Sequence, residues 1–195
     1  MKVVIAGFDG YGKSVIDSMI EQDIDYEMVV LDDNNQGEEF AGVKVAGTLD
    51  DMQAFYDKGF DKMYIANEND LEWRKEIAKE ASQIGYQFIT VIDKTALVSK
   101  GAEIGEGTYI AKGAVVDPAV TIGENVIVNV GVTIQSESSV GSFTRLSTAS
   151  IISHGVEVGA MCYVGAASVV TDKTVVPDNT IIEDASVYGK QPFEE

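Results

Sequence analysis

A glycine-rich segment near the start of the chain, GFDGYGKS at residues 7–14, has a composition and spacing suited to phosphate chemistry. It satisfies the phosphate-loop pattern G-x-x-x-x-G-K-[ST], in which backbone N–H groups and a lysine surround a bound phosphate. The same residues also contain G-x-x-G-x-G, a turn that brings the backbone close to a diphosphate at a helix N-terminus. A tight strand-to-helix turn without a ligand is the third interpretation.

Two acidic residues favour the second interpretation. Asp32 and Asp33 end the run MVVLDD, and they follow the loop by about 20 residues, where a Rossmann unit carries its ribose-binding acid. The run could instead be the magnesium-binding strand of an NTPase, but that fold needs a larger sheet than this half of the chain provides. In the Rossmann-like interpretation the glycines approach the ligand, the lysine adds a local cation, and the acids accept hydrogen bonds. The residues so predicted to bind substrate are Gly7, Gly10, Gly12, Lys13, Asp32 and Asp33.

The first 90 residues alternate short apolar runs with helical patterns. Such alternation predicts an α/β domain with a parallel sheet and crossover helices. The predicted strands lie at residues 2–7, 26–33, 42–48, 62–67 and 87–93. Helical patterns lie between them, after the glycine-rich segment, near Asp50 and Asp51, and after Asp70. We therefore predict a Rossmann-like domain over residues 1–90.

A different pattern begins at residue 92, where every sixth residue is aliphatic. This period fits a triangular parallel β-helix with one short strand and one turn on each face, so that three hexapeptides make a coil. A sandwich of alternating strands is the competing interpretation, but it gives no reason for an unbroken period of six. The sixteen positions are Ile92, Val98, Ile104, Ile110, Val116, Ile122, Val128, Ile134, Val140, Leu146, Ile152, Val158, Val164, Val170, Val176 and Ile182.

Glycines add an 18-residue rhythm to this half, at Gly105, Gly123, Gly141 and Gly159. Eighteen residues correspond to one coil of three hexapeptides. We expect these glycines to occupy one corner of the coil that requires an unusual backbone angle.

Composition limits the classes of partner. With 32 acidic and 14 basic residues the net charge is −18, which disfavours nucleic acids and anionic membrane surfaces. No apolar run approaches the roughly 20 residues that span a bilayer. Cys162 is the only cysteine, so an internal disulfide is impossible and a reducing cytoplasm fits. We predict a cytoplasmic protein that does not insert into membranes, and we predict no metal site.

The combination of the two halves resembles a known family. The segments that carry the resemblance are GFDGYGKS, VVLDDN, ANENDLEWRKEIA, ALVSKGAEIGEGTYIAKGAVVDPAVTIGENVIVNVGVTI and VEVGAMCYVGAASVV. They are similar to sialic-acid O-acetyltransferases and UDP-amino-sugar N-acetyltransferases, the hexapeptide-repeat acyltransferases of the NeuD and PglD type. The resemblance implies a left-handed β-helix as the acyltransferase domain, residues 91–195, and a homotrimer. It also implies a nucleotide-linked sugar bound by the N-terminal domain and acetyl-CoA bound between neighbouring β-helices.

The catalytic residues of the family are only partly present. Family members use a histidine as general base, and its position in the stretch NVGVTIQSES is occupied by Ser136, followed by the acid Glu137. Serine is not a base near neutral pH, whereas Glu137 would need burial to act as one. The only histidine is His154, which lies 18 residues after Ser136 and therefore one coil further on the same corner. It is either a displaced general base or an ordinary surface histidine.

Further site residues follow from the resemblance. A second family histidine, which contacts the acyl donor, falls on Arg145, and the histidine of the family's glycine-rich loop falls on Tyr11. Arg145 either pairs with the donor or is a solvated side chain. Gly165 and Ala166 occupy the family's donor-binding turn, where a backbone N–H could also polarise the thioester carbonyl.

Two functions remain open at this point. The first is an acetyl-CoA-dependent acetyltransferase that acts on a nucleotide-linked amino sugar in surface-glycan biosynthesis. The alternative is a catalytically impaired trimeric homologue that binds nucleotide sugars or acts as a scaffold. The missing histidine favours the alternative, while the retained glycine-rich loop and acids favour a ligand in both cases.

Overall fold

The structure is a computed structural model that describes residues 1–190. The last five residues of the predicted C-terminal domain, 191–195, lie outside the described part. The chain divides into two compact units, of which the first is Met1–Val91 and the second begins at Ile92.

The first unit alternates strands with helices, as its sequence pattern predicts. Its strands are Lys2–Ala6 (β1), Glu27–Leu31 (β2), Glu39–Phe40 (β3), Val43–Gly47 (β4), Lys62–Ile65 (β5) and Gln87–Phe88 (β6). Its helices are Gly10–Ile20 (α1), Met52–Asp57 (α2) and Leu71–Ile84 (α3), with a 3₁₀ turn at Leu49–Asp51 before α2.

The strands of this unit form one sheet in the order β3-β4-β2-β1-β5-β6. All neighbours pair in parallel except β3 and β4, which are antiparallel. The central strand β1 is apolar after its first residue and is buried from Val3 to Ala6, because helices cover a parallel sheet on its faces.

Capping residues set the ends of the helices. Asp9 accepts a hydrogen bond from Gly12 N at the start of α1, and Asp70 accepts one from Trp73 N at the start of α3. Gly85 ends α3 with a φ of 114°, in the left-handed region that glycine tolerates best. Tyr86 then packs inward and donates a hydrogen bond to Met52 O, and burial raises the pKa of its phenol to about 12.

Two-residue strands separated by turns make up the second unit throughout the part of it that the structure describes, and the first of these strands begins at Val91, the last residue of the first unit. They are Val91–Ile92 (β7), Leu97–Val98 (β8), Glu103–Ile104 (β9), Tyr109–Ile110 (β10), Val115–Val116 (β11), Thr121–Ile122 (β12), Ile127–Val128 (β13), Thr133–Ile134 (β14), Ser139–Val140 (β15), Arg145–Leu146 (β16), Ile151–Ile152 (β17), Glu157–Val158 (β18), Tyr163–Val164 (β19), Val169–Val170 (β20), Val175–Val176 (β21), Ile181–Ile182 (β22) and Val187–Tyr188 (β23).

Each strand pairs in parallel with the strand three places along the chain, which gives three sheets. The pairing register is 18 residues, as in Thr133 opposite Ile151 and Ile134 opposite Ile152. Three stacked parallel sheets with this register are the architecture of a parallel β-helix and fit a left-handed one. The sandwich interpretation is therefore wrong.

The aliphatic period forms the core of this unit. Thirteen of the sixteen positions, from Ile110 to Ile182, are no more than 4% exposed, and the first three pack against them as partly buried residues. Each buried Val, Ile or Leu stabilises the fold by about 1.5–3 kcal/mol. The second residue of each strand faces inward and the first faces outward, since side chains alternate along a strand.

Buried hydroxyls bond successive coils together at the corners. Ser138 Oγ donates to Ser153 O and accepts from Val156 N, and Thr144 Oγ1 bonds in the same way to Gly159 O and Cys162 N. A side chain thus satisfies backbone groups of the next coil inside the core.

The prediction that the repeated glycines provide an unusual backbone angle is wrong. Gly105, Gly123, Gly141 and Gly159 do not have positive φ angles. They are required because the next coil passes close by: a Cβ on Gly105 would lie 2.5 Å from the carbonyl carbon of Gly123. Positive φ angles occur instead at every sixth residue from Gly107 to Ala185, mostly at residues other than glycine.

Two of the three faces of the prism differ in their outward residues, and we call them the apolar face and the polar face; the third carries both apolar and polar residues, Arg145 and Ile181 among them. The apolar face comprises Leu97, Val115, Thr133, Ile151, Val169 and Val187, the first residues of β8, β11, β14, β17, β20 and β23. The polar face comprises Glu103, Thr121, Ser139, Glu157 and Val175, the first residues of β9, β12, β15, β18 and β21.

Candidate active site and ligand cavity

A cavity of about 260 Å³ lies in the first unit at the carboxyl ends of β1 and β2. Ligands of open parallel sheets bind at this edge, because the loops that follow the strands meet there. Its lining is Gly7, Phe8, Asp9, Leu31, Asp32, Asp33, Asn34, Asn35, Leu49, Ala66, Asn67 and Trp73.

The glycines of the loop are explained by close packing within the protein. Gly7 has a φ of 110°, and a Cβ there would collide with the carbonyl oxygen of Ala66. A Cβ on Gly12 would lie 3.0 Å from Gly7 O, whereas Gly10 faces open space. Of these three glycines, Gly7 lines the cavity and the other two lie in the first turn of α1.

The two predicted acids both line the cavity, but they also hold its walls together. Asp32 Oδ2 accepts from Phe8 N, and Oδ1 accepts from the backbone N–H groups of Asn34 and Asn35, each at 2.9 Å. Asp33 Oδ1 accepts from Leu49 N at 3.0 Å. Asp32 therefore links the glycine-rich loop to the segment after β2.

Two other residues predicted to bind substrate, Tyr11 and Lys13, are not among the residues that line the cavity. The Lys13 ammonium lies 4.6 Å from the centre of the Phe8 ring and 3.9 Å from Glu38 Oε2. Tyr11 is buried, and its hydroxyl lies 2.5 Å from that of Tyr64. Burial raises the pKa of the Tyr64 phenol above its ordinary value, while the charge of Arg74 acts in the opposite direction.

The aromatic and amide groups of the cavity were not predicted from the sequence. Trp73 stands in the first turn of α3, and Asn67 follows β5. The sequence could have indicated Trp73 as a candidate binding residue, since it is the only tryptophan and lies in an otherwise polar helix. The lining, all of it within the described residues, holds three aspartates, three asparagines and two aromatic rings, and neither lysine nor arginine. This composition suits stacking on a base and hydrogen bonding to ribose or sugar hydroxyls.

The second unit brings all three predicted catalytic residues together. Ser136 and Glu137 lie in the turn from β14 to β15, and His154 lies in the equivalent turn of the next coil, from β17 to β18. Ser136 Oγ is 3.3 Å from His154 Nδ1, and Glu137 Oε2 is 3.8 Å from His154 Nε2. The group stands at the corner where the apolar and polar faces meet.

The backbone at this corner fixes the arrangement. Gly155 N donates to Ser136 O at 3.1 Å, which aligns the two turns. Glu137 has a φ of 61°, the left-handed conformation that recurs at every corner. The His154 side chain is 39% exposed, so the imidazole is accessible to a ligand. The neutral imidazole has one nitrogen that donates a hydrogen bond and one that accepts, so it can both donate and accept a proton.

The predicted donor-binding residues lie on two successive coils, since Arg145 begins β16 and Gly165 and Ala166 lie in the turn after β19. Arg145 stacks over the Tyr163 ring at 5.5 Å, one coil away. Gly165 N donates to Ile182 O at 2.9 Å, and Ala166 N donates to Asp184 Oδ1 at 2.8 Å. Both N–H groups are thus used within the chain, and their role towards a thioester stays a prediction.

The fold and site define a class of protein in which an α/β unit is followed by a parallel β-helix of hexapeptides. Solved structures of this class include a mutant of perosamine N-acetyltransferase from Caulobacter crescentus, in complex with CoA and GDP-perosamine. It superposes with a TM-score of 0.92 at 24% identity, covering 98% of this chain and 90% of that chain. The acetyltransferase domain of PglB from Neisseria gonorrhoeae, in complex with acetyl coenzyme A, superposes with a TM-score of 0.83 at 26% identity, covering 96% of both chains.

These neighbours confirm the resemblance to hexapeptide-repeat acyltransferases of the PglD and NeuD type. Comparison by sequence says less about the chain than comparison by structure. The chain matches no protein-family model. Uncharacterized protein L142 of Acanthamoeba polyphaga mimivirus is 26% identical over 100 residues, which are 51% of this chain but only 19% of that protein.

Proposed function

We propose that the protein is an acetyl-CoA-dependent acetyltransferase that acts on a nucleotide-linked amino sugar, in surface-glycan biosynthesis. The PglB acetyltransferase domain, which resembles the chain along nearly its whole length and was solved with acetyl coenzyme A, supports the reaction and acetyl-CoA as co-substrate. The perosamine N-acetyltransferase, solved with GDP-perosamine, supports a nucleotide amino sugar as acceptor.

One observation carries the proposal: His154 lies at hydrogen-bonding distance from Ser136, the position of the family's general base. The chain lacks a histidine at one coil and holds its only histidine on the next, at the same corner. Acyl transfer requires a proton to be removed as the nucleophile attacks the thioester, and the His154 imidazole can accept it. Glu137 is placed to stabilise the imidazolium that results.

The first unit is proposed as a Rossmann-like domain, residues 1–90, that binds the nucleotide-linked sugar. Support comes from the cavity at the carboxyl ends of β1 and β2. Asp33 offers an acceptor to ribose, and Trp73 offers a surface on which a base can stack. Gly10, Tyr11, Gly12 and Lys13 shape the start of α1 beside it.

A homotrimer is proposed through the apolar face. Leu97 and Val187 on this face are 68% and 51% exposed, and contiguous exposed apolar surface marks an interface. Further copies of the chain would cover it and would bring neighbouring β-helices beside the Ser136–His154 corner. Acetyl-CoA would then lie along that junction, with Arg145, Gly165 and Ala166 as its predicted contacts.

The scaffold alternative is not favoured, because the named neighbours are acetyltransferases and the corner holds an imidazole. A cytoplasmic location stays a prediction from composition. Among the helices of residues 1–190, none has the length and apolar content needed to cross a membrane.

The test is to incubate the purified protein with acetyl-CoA and a panel of UDP-, dTDP- and GDP-linked amino sugars, GDP-perosamine included, while following free thiol. We expect thiol release with at least one acceptor, and a loss of about 10²–10⁴-fold in the His154→Gln variant. Glu157→Gln, an exposed acid on the polar face, serves as the control and keeps full activity. Absence of thiol release with every acceptor would refute the proposal.

A further inference from the structure

The imidazole at this corner has a hydroxyl on one side and a carboxylate on the other. Ser136 Oγ lies 3.3 Å from His154 Nδ1, and Glu137 Oε2 lies 3.8 Å from the other ring nitrogen, Nε2. A carboxylate beside Nε2 favours the tautomer with the proton on that nitrogen. Nδ1 is then the acceptor, and the hydroxyl within its reach is that of Ser136.

A hydroxyl, an imidazole and a carboxylate in this order form the arrangement that activates a serine. The two ring nitrogens have exchanged roles relative to the usual arrangement, since the serine bonds to Nδ1 and the acid faces Nε2. Ser136 is also partly exposed at the corner, as an acyl acceptor must be.

We propose that Ser136 is the nucleophile of a transient acetyl-enzyme, so that acetyl transfer takes place by double displacement. The inference rests on the proposed function for its acyl donor. Ser136 Oγ attacks the thioester carbonyl of acetyl-CoA and gives its proton to His154 Nδ1. The C–O bond forms, the C–S bond breaks, and the thiolate of CoA takes the proton from the imidazolium.

The second step restores the enzyme. The amine of the sugar attacks the acetyl ester on Ser136, its proton passes to His154, and the C–O bond to the serine breaks. The serine oxygen recovers the proton from the imidazolium. Acetyl-CoA and the amine are thereby converted to CoA and the amide, with no other reactant.

The experiment treats the full chain with acetyl-CoA alone, quenches it in acid within seconds, and locates acetyl groups by peptide mass spectrometry. We expect an acetyl ester on Ser136 in the wild type, with a burst of about one equivalent of CoA per site. Ser136→Ala and His154→Gln should lack both. Ser139→Ala, an outward serine on the adjacent strand, is the matched control and should keep both.

Two further measurements make the result decisive. Ser136→Cys should restore acetylation at this residue, as a thioester, whereas a merely structural serine would give no such adduct. Circular dichroism of each variant verifies folding. Wild-type turnover in Ser136→Ala, or sugar acetylation with no acetyl-enzyme at any quench time, would overturn the inference. An acetyl-enzyme that forms but passes its acetyl group to none of the sugars would leave the inference standing and refute the proposed acceptor instead.

Discussion

Ser136 Oγ and His154 Nδ1 lie 3.3 Å apart although 18 residues separate them in the chain. One full coil of the β-helix stacks the two turns, so that residues in equivalent positions become neighbours at about the 4.8 Å spacing of β-strands. A histidine on one coil can therefore serve a site whose expected base lay on the coil before it.

Glu137→Gln should lower kcat by about fivefold or less while KM for acetyl-CoA stays constant. The carboxylate lies 3.8 Å from His154 Nε2 but is exposed, and an exposed ion pair contributes about 1 kcal/mol or less. Steady-state kinetics at low and high salt measure the effect, which should shrink as salt screens the pair. A change confined to KM would contradict this role.

Ligand binding to the first unit should change the intrinsic fluorescence of the protein, since Trp73 lines the cavity and is the only tryptophan. Titration with nucleoside diphosphates gives Kd directly. Asp33→Asn should weaken binding about 10–100-fold, because a hydrogen bond to a charged group contributes about 1.5–3 kcal/mol. Glu72→Gln, next to Trp73 but outside the lining, is the control. Equal Kd values for the two variants would exclude Asp33 from the site.

Ile151→Lys should convert the proposed trimer into monomers. Ile151 lies near the middle of the apolar face, and covering a lysine there would bury an unpaired charge. Val175→Lys is the matched control, because this valine is 63% exposed but lies on the polar face. Sedimentation velocity compares the three proteins. If the wild type sediments as a monomer at micromolar concentration, the trimer proposal fails.

Two buried serines should differ sharply when each is changed to alanine. Ser138→Ala removes the partner of both Ser153 O and Val156 N inside the core, at a cost of about 1–3 kcal/mol. The hydroxyl of Ser150 is buried with no hydrogen-bond partner among the described residues, so Ser150→Ala should change stability by less than about 0.5 kcal/mol. Urea unfolding of both variants measures the difference in the free energy of unfolding. Equal decreases would contradict the role of the Ser138 hydroxyl in bonding successive coils together.

Two glycines of the β-helix should also respond differently to alanine. At Gly141 an added Cβ would collide with backbone atoms of Gly159 and Ala160, so we expect a loss of about 3 kcal/mol or more. At Gly131, where φ is 67° and nothing lies within 4 Å, only the left-handed backbone costs free energy, about 1–2 kcal/mol. The midpoint of thermal unfolding ranks the two variants. The reverse order would mean that backbone angle, not coil spacing, selects these glycines.

The sequence by itself determined the β-helix and the corner at which Ser136 and His154 meet. A period of six requires every sixth side chain to point inward, and the difference of 18 between Ser136 and His154 places both at one corner whatever the details of packing. The α/β character of the first half followed in the same way from its alternating runs. In each case local periodicity alone fixes which side chains share a face.

Only the tertiary structure decided which atoms meet. It showed that both carboxylate oxygens of Asp32 accept hydrogen bonds from backbone N–H groups. It also showed that Trp73 lines the cavity, whereas Lys13 and Tyr11 are not among its lining residues. It also showed that Gly141 and its counterparts serve the spacing between coils rather than a backbone angle. Such contacts join residues from separate strands and turns, and their distances depend on how the elements pack, which a one-dimensional period does not encode.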